Sequence, residues 1–269
     1  MAAAGRATVA GLFVYPVKSC GGTAVDRTEV DAFGFRDDRR WMIVDERGDF
    51  LTQRTEPLLA TIRVGLDAGR LSFRSPGRRE LVVEAEPRNG VPERVTVWRD
   101  TVDAVAVDEA ADAWVSSVLG RPARLVWMPP DSRRPAKRDP GDVDPRISFA
   151  DAYPFLVLSR ESLDELNARL ETPLPMNRFR PNIVFEGAGA FAEDRWSRFR
   201  IGAVEFDAAG ACARCATTTT DQENGARGVE PLRTLATFRR RGNEAIFGQN
   251  AVHRGRGEIR VGMPVEVLR

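Results

Sequence analysis

The sequence is poor in the side chains from which most metal and acid-base sites are built: 269 residues hold one histidine, three cysteines and two tyrosines. A site made of several imidazoles, such as a three-histidine zinc centre, is excluded, and a serine or cysteine triad could draw only on His253. That residue, in NAVHRGRGEI beside a terminal strand, reads as structural. Three unevenly spaced cysteines do not make a disulfide framework, which agrees with a reducing compartment. Long apolar runs are lacking too. No window approaches the roughly 18 apolar residues of a membrane span, and MAAAGRATVAGLFV lacks the charged start and sustained apolar run of a secretion signal. The expected location is the cytoplasm, with no membrane partner. Surplus charge is absent as well, 40 basic residues standing against 39 acidic, so the total calls for neither nucleic acid nor an anionic surface. Lysine occurs only at Lys18 and Lys137 against 38 arginines. A lysine kept in YPVKSCGG marks a place where a compact ammonium, with its own donor geometry, is wanted.

What is present suits a globular protein, since 42% hydrophobic residues in a chain of this length can bury a sizeable core. Short alternating runs dominate: TVAGLFVYPV, RWMIVDERGDFLTQR, LSFRS, LVVEAE and RVTVWRDTVDAVAVD read as strands, with tight turns at Arg47-Gly48 and around Arg99 and Asp100. In DEAADAWVSSVLGRP, residues Ala111, Trp114, Val115, Val118 and Leu119 share a helical face, Asp108 caps its start and Gly120 its end. The polar segment at 131–146 has no apolar period and reads as a loop or linker. Beyond it, YPFLVLS reads as a strand, SRESLDELNARL as a helix capped by Ser159, and PLRTLATFRRR as a further short helix. Strands return in RPNIVFEG, FRIGAVEFDAAG and GEIRVGMPVEVLR. The expected fold class is mainly β, of α+β type: two β-rich domains with helices as minor coverings.

GACARCATTTTDQENG concentrates the chemistry, with Cys212 and Cys215 at C-x-x-C spacing. A redox dithiol belongs at a helix N-terminus, whereas four threonines follow here, poor helix formers and good strand or turn formers. A structural zinc would need Cys20, Cys212, Cys215 and His253 to converge. An iron-sulfur cluster lacks thiolates after Cys215. The remaining use is a single thiolate on a metal whose other ligands come from an organic cofactor. A phosphate-bearing cofactor would want cations and amides. Lys18, Ser19, Arg39, Arg40, Arg54, Arg178 and Arg180 lie beside strand ends or turns.

From YPVKSCGG through DRRWMIVDERGDFLTQR, YPFLVLSRESLDELNARL, NRFRPNIVF and CARCATTTTDQENG to IFGQNAV and VGMPVEVL, the chain resembles the MOSC-domain molybdenum-cofactor proteins. These carry an N-terminal β-barrel domain, and the amidoxime-reducing components are among them. The resemblance implies two β-barrel-like domains, 1–121 and 122–269, and molybdenum held by molybdopterin. It makes Cys215 the catalytic metal ligand and Cys212 a packing thiol. It assigns cofactor contacts to Lys18, Ser19, Arg39, Arg180, Asn182, Ala213, Arg214 and Asp221. The Arg39-Arg40 tandem allows a one-residue shift in that match. Ala213 stands where relatives can carry a serine, so any contact there falls to the backbone.

The implied activity is reduction of a small N-hydroxylated substrate. With no cysteine after Cys215, electrons are expected from a separate flavoprotein or ferredoxin-type reductase. The alternatives are a cofactor carrier without turnover and a thiol oxidoreductase using Cys212 and Cys215.

Overall fold

The computed structural model describes residues 7–87, 90–136 and 146–268. Most of the polar segment read as a loop, 137–145, lies outside the described residues. Strands carry the architecture, as the alternating runs require. The first, Thr8–Val14, shows how the core face is set. A bulge between Val9 and Gly11 inserts one residue against Ile183–Glu186, so that Val9 and Leu12, which strict alternation would place on opposite faces, are both buried.

This strand lies in a nine-stranded sheet. From one edge its order is Val265–Val267, Arg198–Ile201, Val204–Ala213, Glu244–Arg254, Phe155–Ser159, Ile183–Glu186, Thr8–Val14 and Thr23–Val25, with Arg240–Arg241 paired to Glu244–Arg254. The Phe155–Ser159 and Ile183–Glu186 strands run parallel. Their crossover carries the helix Arg160–Asn167, the connection a parallel pair needs. A four-stranded sheet orders Trp41–Val44, Arg124–Trp127, Asp100–Ala106 and Pro92–Val97, and a three-stranded one orders Arg63–Asp67, Arg70–Arg74 and Leu81–Glu84. Pairing crosses residue 121 both ways: Thr8–Val14 joins the sheet of the later strands, while Arg124–Trp127 joins that of the earlier ones.

The largest core gathers Phe155, Phe185, Phe199 and Phe206, with Phe155 and Phe206 edge to face at 5.1 Å. His253 packs its ring on Phe155 at 5.6 Å, and burial lowers its pKa, so it is a core residue as its setting in the sequence suggests. The helix Glu109–Leu119 starts where the Asp108 carboxylate accepts from the amides of Ala110 and Ala111, at 2.7 and 3.3 Å, and ends at Gly120 with φ 69°. Ser159 caps Arg160–Asn167 by accepting from the Ser162 amide at 2.9 Å. No helix among the described residues is long and apolar enough to cross a membrane.

One turn differs from expectation. The second hairpin turns on Trp98 and Arg99, with Val97 facing Asp100, rather than on Arg99 and Asp100. Trp98 takes φ 59° at the first loop position, where glycine is the usual occupant and another residue costs roughly 1–2 kcal/mol.

Candidate functional site

The site is assembled from loops at strand ends. Lys18 follows Thr8–Val14, Arg54 follows Trp41–Val44, Asp151 precedes Phe155–Ser159, and Cys215 closes the run that begins with Val204–Ala213. Cys215 sits at the head of a single 3-10 turn, Ala216–Thr219, which is all the helix that four threonines form. Its Sγ lies 3.4 Å from the Thr217 hydroxyl. Burial pushes the thiol's pKa up, but the Thr217 hydroxyl and amide together with the Arg54 guanidinium outweigh it and leave the thiol below its ordinary value.

Arg54 in turn binds Asp151, Nη2 to Oδ2 at 2.9 Å, and Lys18 Nζ donates to the other oxygen of that carboxylate and to the Phe149 carbonyl at 2.7 Å. Burial pushes the Asp151 carboxyl up, yet Lys18 and Arg54 overcome this and hold it well below the usual carboxylate range. Lys18 is 4% exposed, and burial lowers its pKa to about 8 despite Asp151. The backbone under Arg54 is fixed by Arg227, which donates to the carbonyls of Gln53 and of Arg54 itself, the latter at 2.6 Å.

A second group of expected residues surrounds Tyr15. The guanidinium of Arg180 lies 4.3 Å from the centre of that ring and the guanidinium of Arg39 4.8 Å from it, and Arg214 also acts on the phenol. Burial pushes the Tyr15 phenol up to about 12 against the pull of these cations. Arg39 binds Asp38 and donates to Asn182 Oδ1 at 3.2 Å. Arg180 donates to the Cys20 carbonyl at 2.6 Å, and burial lowers its pKa to about 10. Arg214 donates to the Phe179 carbonyl at 2.7 Å, while its buried Nε has no partner. Ser19, at φ 67°, offers its carbonyl to Gln53 Nε2 at 2.7 Å, and Gln53 and Gln222 exchange amide hydrogen bonds behind it.

The tandem arginines part company. Arg39 faces Asn182, whereas Arg40 stacks over Phe33 at 4.3 Å and donates to the Met128 carbonyl, away from the cluster. Asp221 also stands apart, its carboxylate accepting from the amides of Glu223 and Asn224 and lying 3.5 Å from Arg178. Ala213 is the exposed last residue of its strand. Cys212 and Cys215 are both free thiols, Cys212 accepting from Arg214 Nη1 at 3.1 Å. Among the described residues, no three histidine, cysteine or acidic side chains gather as a metal site, so the four-ligand zinc reading finds no support.

Residues 6–122 match the MOSC N-terminal beta barrel domain, and residues 144–266 match the MOSC domain. Mitochondrial amidoxime-reducing component 1 of Homo sapiens is 35% identical across 97% of this chain and 83% of its own. The chain belongs to the MOSC family. The Mus musculus amidoxime-reducing component 1 is 37% identical over 97% of this chain and 82% of its own. Molybdenum cofactor sulfurase of Oryza sativa subsp. japonica is 32% identical over 88% of this chain, which spans only 31% of that protein.

Three residues of this MOSC protein's site escape a sequence reading. Asp151 in FADAYP looks like a loop acid until Lys18 and Arg54 converge on it. Tyr15 looks like one more apolar strand residue. Trp98 looks like the last residue of a strand until Val97 pairs with Asp100 and puts it in the turn, where glycine is favoured.

Proposed function

We propose that this MOSC protein holds a molybdenum-pterin cofactor and reduces N-hydroxylated compounds, such as amidoximes, hydroxylamines and N-hydroxylated bases. In this reading the chain divides into domains at 1–121 and 122–269, with strands exchanged across the division. A separate protein, a flavoprotein or a ferredoxin-type reductase, supplies the electrons. The names of the relatives support the substrate class, and one structural observation carries the reading: the Cys215 thiol, of lowered pKa, follows Arg214 on its loop, and Arg214 joins Arg39 and Arg180 from two other loops around Tyr15, three cations beside the single acid Asp38.

The residues present fit such a group. A buried guanidinium that meets a carbonyl rather than a carboxylate, as Arg180 does, is costly unless an anion completes it, and the buried Nε of half-buried Arg214 has no acceptor. Arg39, Arg180, Arg214, Asn182 and Ser19 would hold the phosphate and pterin, with Lys18 and the Ala213 backbone as further contacts, while the Asp221 carboxylate, engaged by the Glu223 and Asn224 amides, would act on the site only through its loop. Cys215 would bind the metal. When bound, the cofactor supplies the two-electron chemistry that these side chains lack. Overall, the N–O bond is exchanged for N–H, with two electrons and two protons consumed and water released.

The chain's own part is electrostatic. Asp151, held ionised between Lys18 and Arg54 with its side chain 48% exposed, accepts hydrogen bonds from the substrate's N–H and O–H groups. Lys18 Nζ, with a pKa of about 8, carries a proton that can be released near neutrality and binds Asp151 directly. The test is reduction of an amidoxime by holoprotein with a reduced viologen dye as donor. Turnover that Cys215→Ser abolishes is expected. Transfer of cofactor to another apo-enzyme with no reduction under any donor would replace this reading with that of a carrier.

A further inference from the structure

Trp98 is 47% exposed and takes a backbone conformation that favours glycine, so neither core packing nor turn geometry accounts for an indole there. What holds it is the site. Its ring centre lies 4.6 Å from the Arg54 guanidinium and 5.0 Å from the Phe50 ring, tilted by 59°, and its Nε1–H donates to Asp151 at 3.2 Å. Arg54 hydrogen-bonds the Cys215 side chain, and Asp151 is the carboxylate that Arg54 and Lys18 share. An indole fixed at its polar edge and by two ring contacts has little rotamer freedom left to lose, and nearly half of its surface stays open. Aromatic surfaces fixed in this way stack planar π-systems with little regard to their substituents.

The geometry points to Trp98 as a substrate-positioning residue, an aromatic platform beside the Cys215 site that selects planar conjugated N-hydroxylated compounds over small aliphatic ones. The chemistry rests on the reductase reading above; the stacking does not. Two probes separate them: benzamidoxime, which carries a planar ring, and acetamidoxime, which carries the same reacting group without one. Trp98→Ala takes a donor from Asp151 for both probes, so the stacking is read from the difference: the KM for benzamidoxime is expected to rise about tenfold more than that for acetamidoxime. Trp98→Phe restores most of the benzamidoxime value. Calorimetry on the same variants supplies a readout that needs no turnover: wild type prefers benzamidoxime, and Trp98→Ala loses the preference. Equal changes for both probes, or none, overturn the proposal. If the protein reduces neither compound, the reductase reading falls, and calorimetry still decides the platform, since equal binding of both probes by wild type would contradict it.

Discussion

Cys20 and Cys215 carry the same thiol in opposite surroundings. Burial pushes Cys20 up to about 12, while at Cys215 the same effect is outweighed by Thr217 and Arg54. In metal-free protein near neutral pH, iodoacetamide is therefore expected to label Cys215 and spare Cys20 until denaturant is added; mass spectrometry showing Cys20 labelled in the folded protein would contradict this. Lys18 gives a second residue-scale expectation. Its folded pKa of about 8 lies below the ordinary 10.5, so between those values the unfolded chain binds more protons and stability rises with pH. Below about 8 the buried charge is carried at a cost of roughly 3 kcal/mol. Wild type should gain on Lys18→Met in urea denaturation as pH climbs from 8 to 10.5, and parallel pH profiles would refute the assignment. At this scale Lys18 and Cys215 were legible because each is rare or set in a marked spacing. The choice between Arg39 and Arg40 was not, because only the loop's path decides which guanidinium reaches Asn182.

At the scale of elements, local chemistry predicts well. Asp108, Gly120 and Ser159 act as the caps that their positions imply, because a cap depends on amides two or three residues away. Asp108→Ala is expected to lower stability by about 1 kcal/mol and to leave cofactor content unchanged, which thermal unfolding and metal analysis check together. The threonines after Cys215 end in one short turn, as poor helix formers should. Trp98 shows where such reasoning stops. Local alternation puts the turn at Arg99 and Asp100, whereas the strands pair so that Trp98 lies in it, in contact with Arg54, Phe50 and Asp151. The side chain that overrides the local preference is the one that faces the site.

At the scale of the whole molecule, strand order was the least legible feature, since pairing between residues more than 150 positions apart leaves no mark in local alternation. Leu12 faces Ile183, and Tyr15, just past the end of the strand, donates to the Pro181 carbonyl at 3.0 Å, so the first strand links early and late parts of the chain beside the Arg180 loop. Leu12 is 1% exposed, and Leu12→Ala is expected to cost about 2–5 kcal/mol. Arg39 lies on a loop after Thr8–Val14 and Arg180 on one before Ile183–Glu186, and the pairing of these two strands brings both to the same phenol. In the function proposed above, this convergence holds a molybdenum cofactor through Cys215. The direct measurement is molybdenum content in protein made by a host with intact cofactor synthesis and ample molybdate, beside Cys215→Ser prepared identically. About one molybdenum per chain in the wild type and a small fraction of that in the variant is the predicted result. Equal molybdenum in both, or none in gently handled wild type, would contradict it.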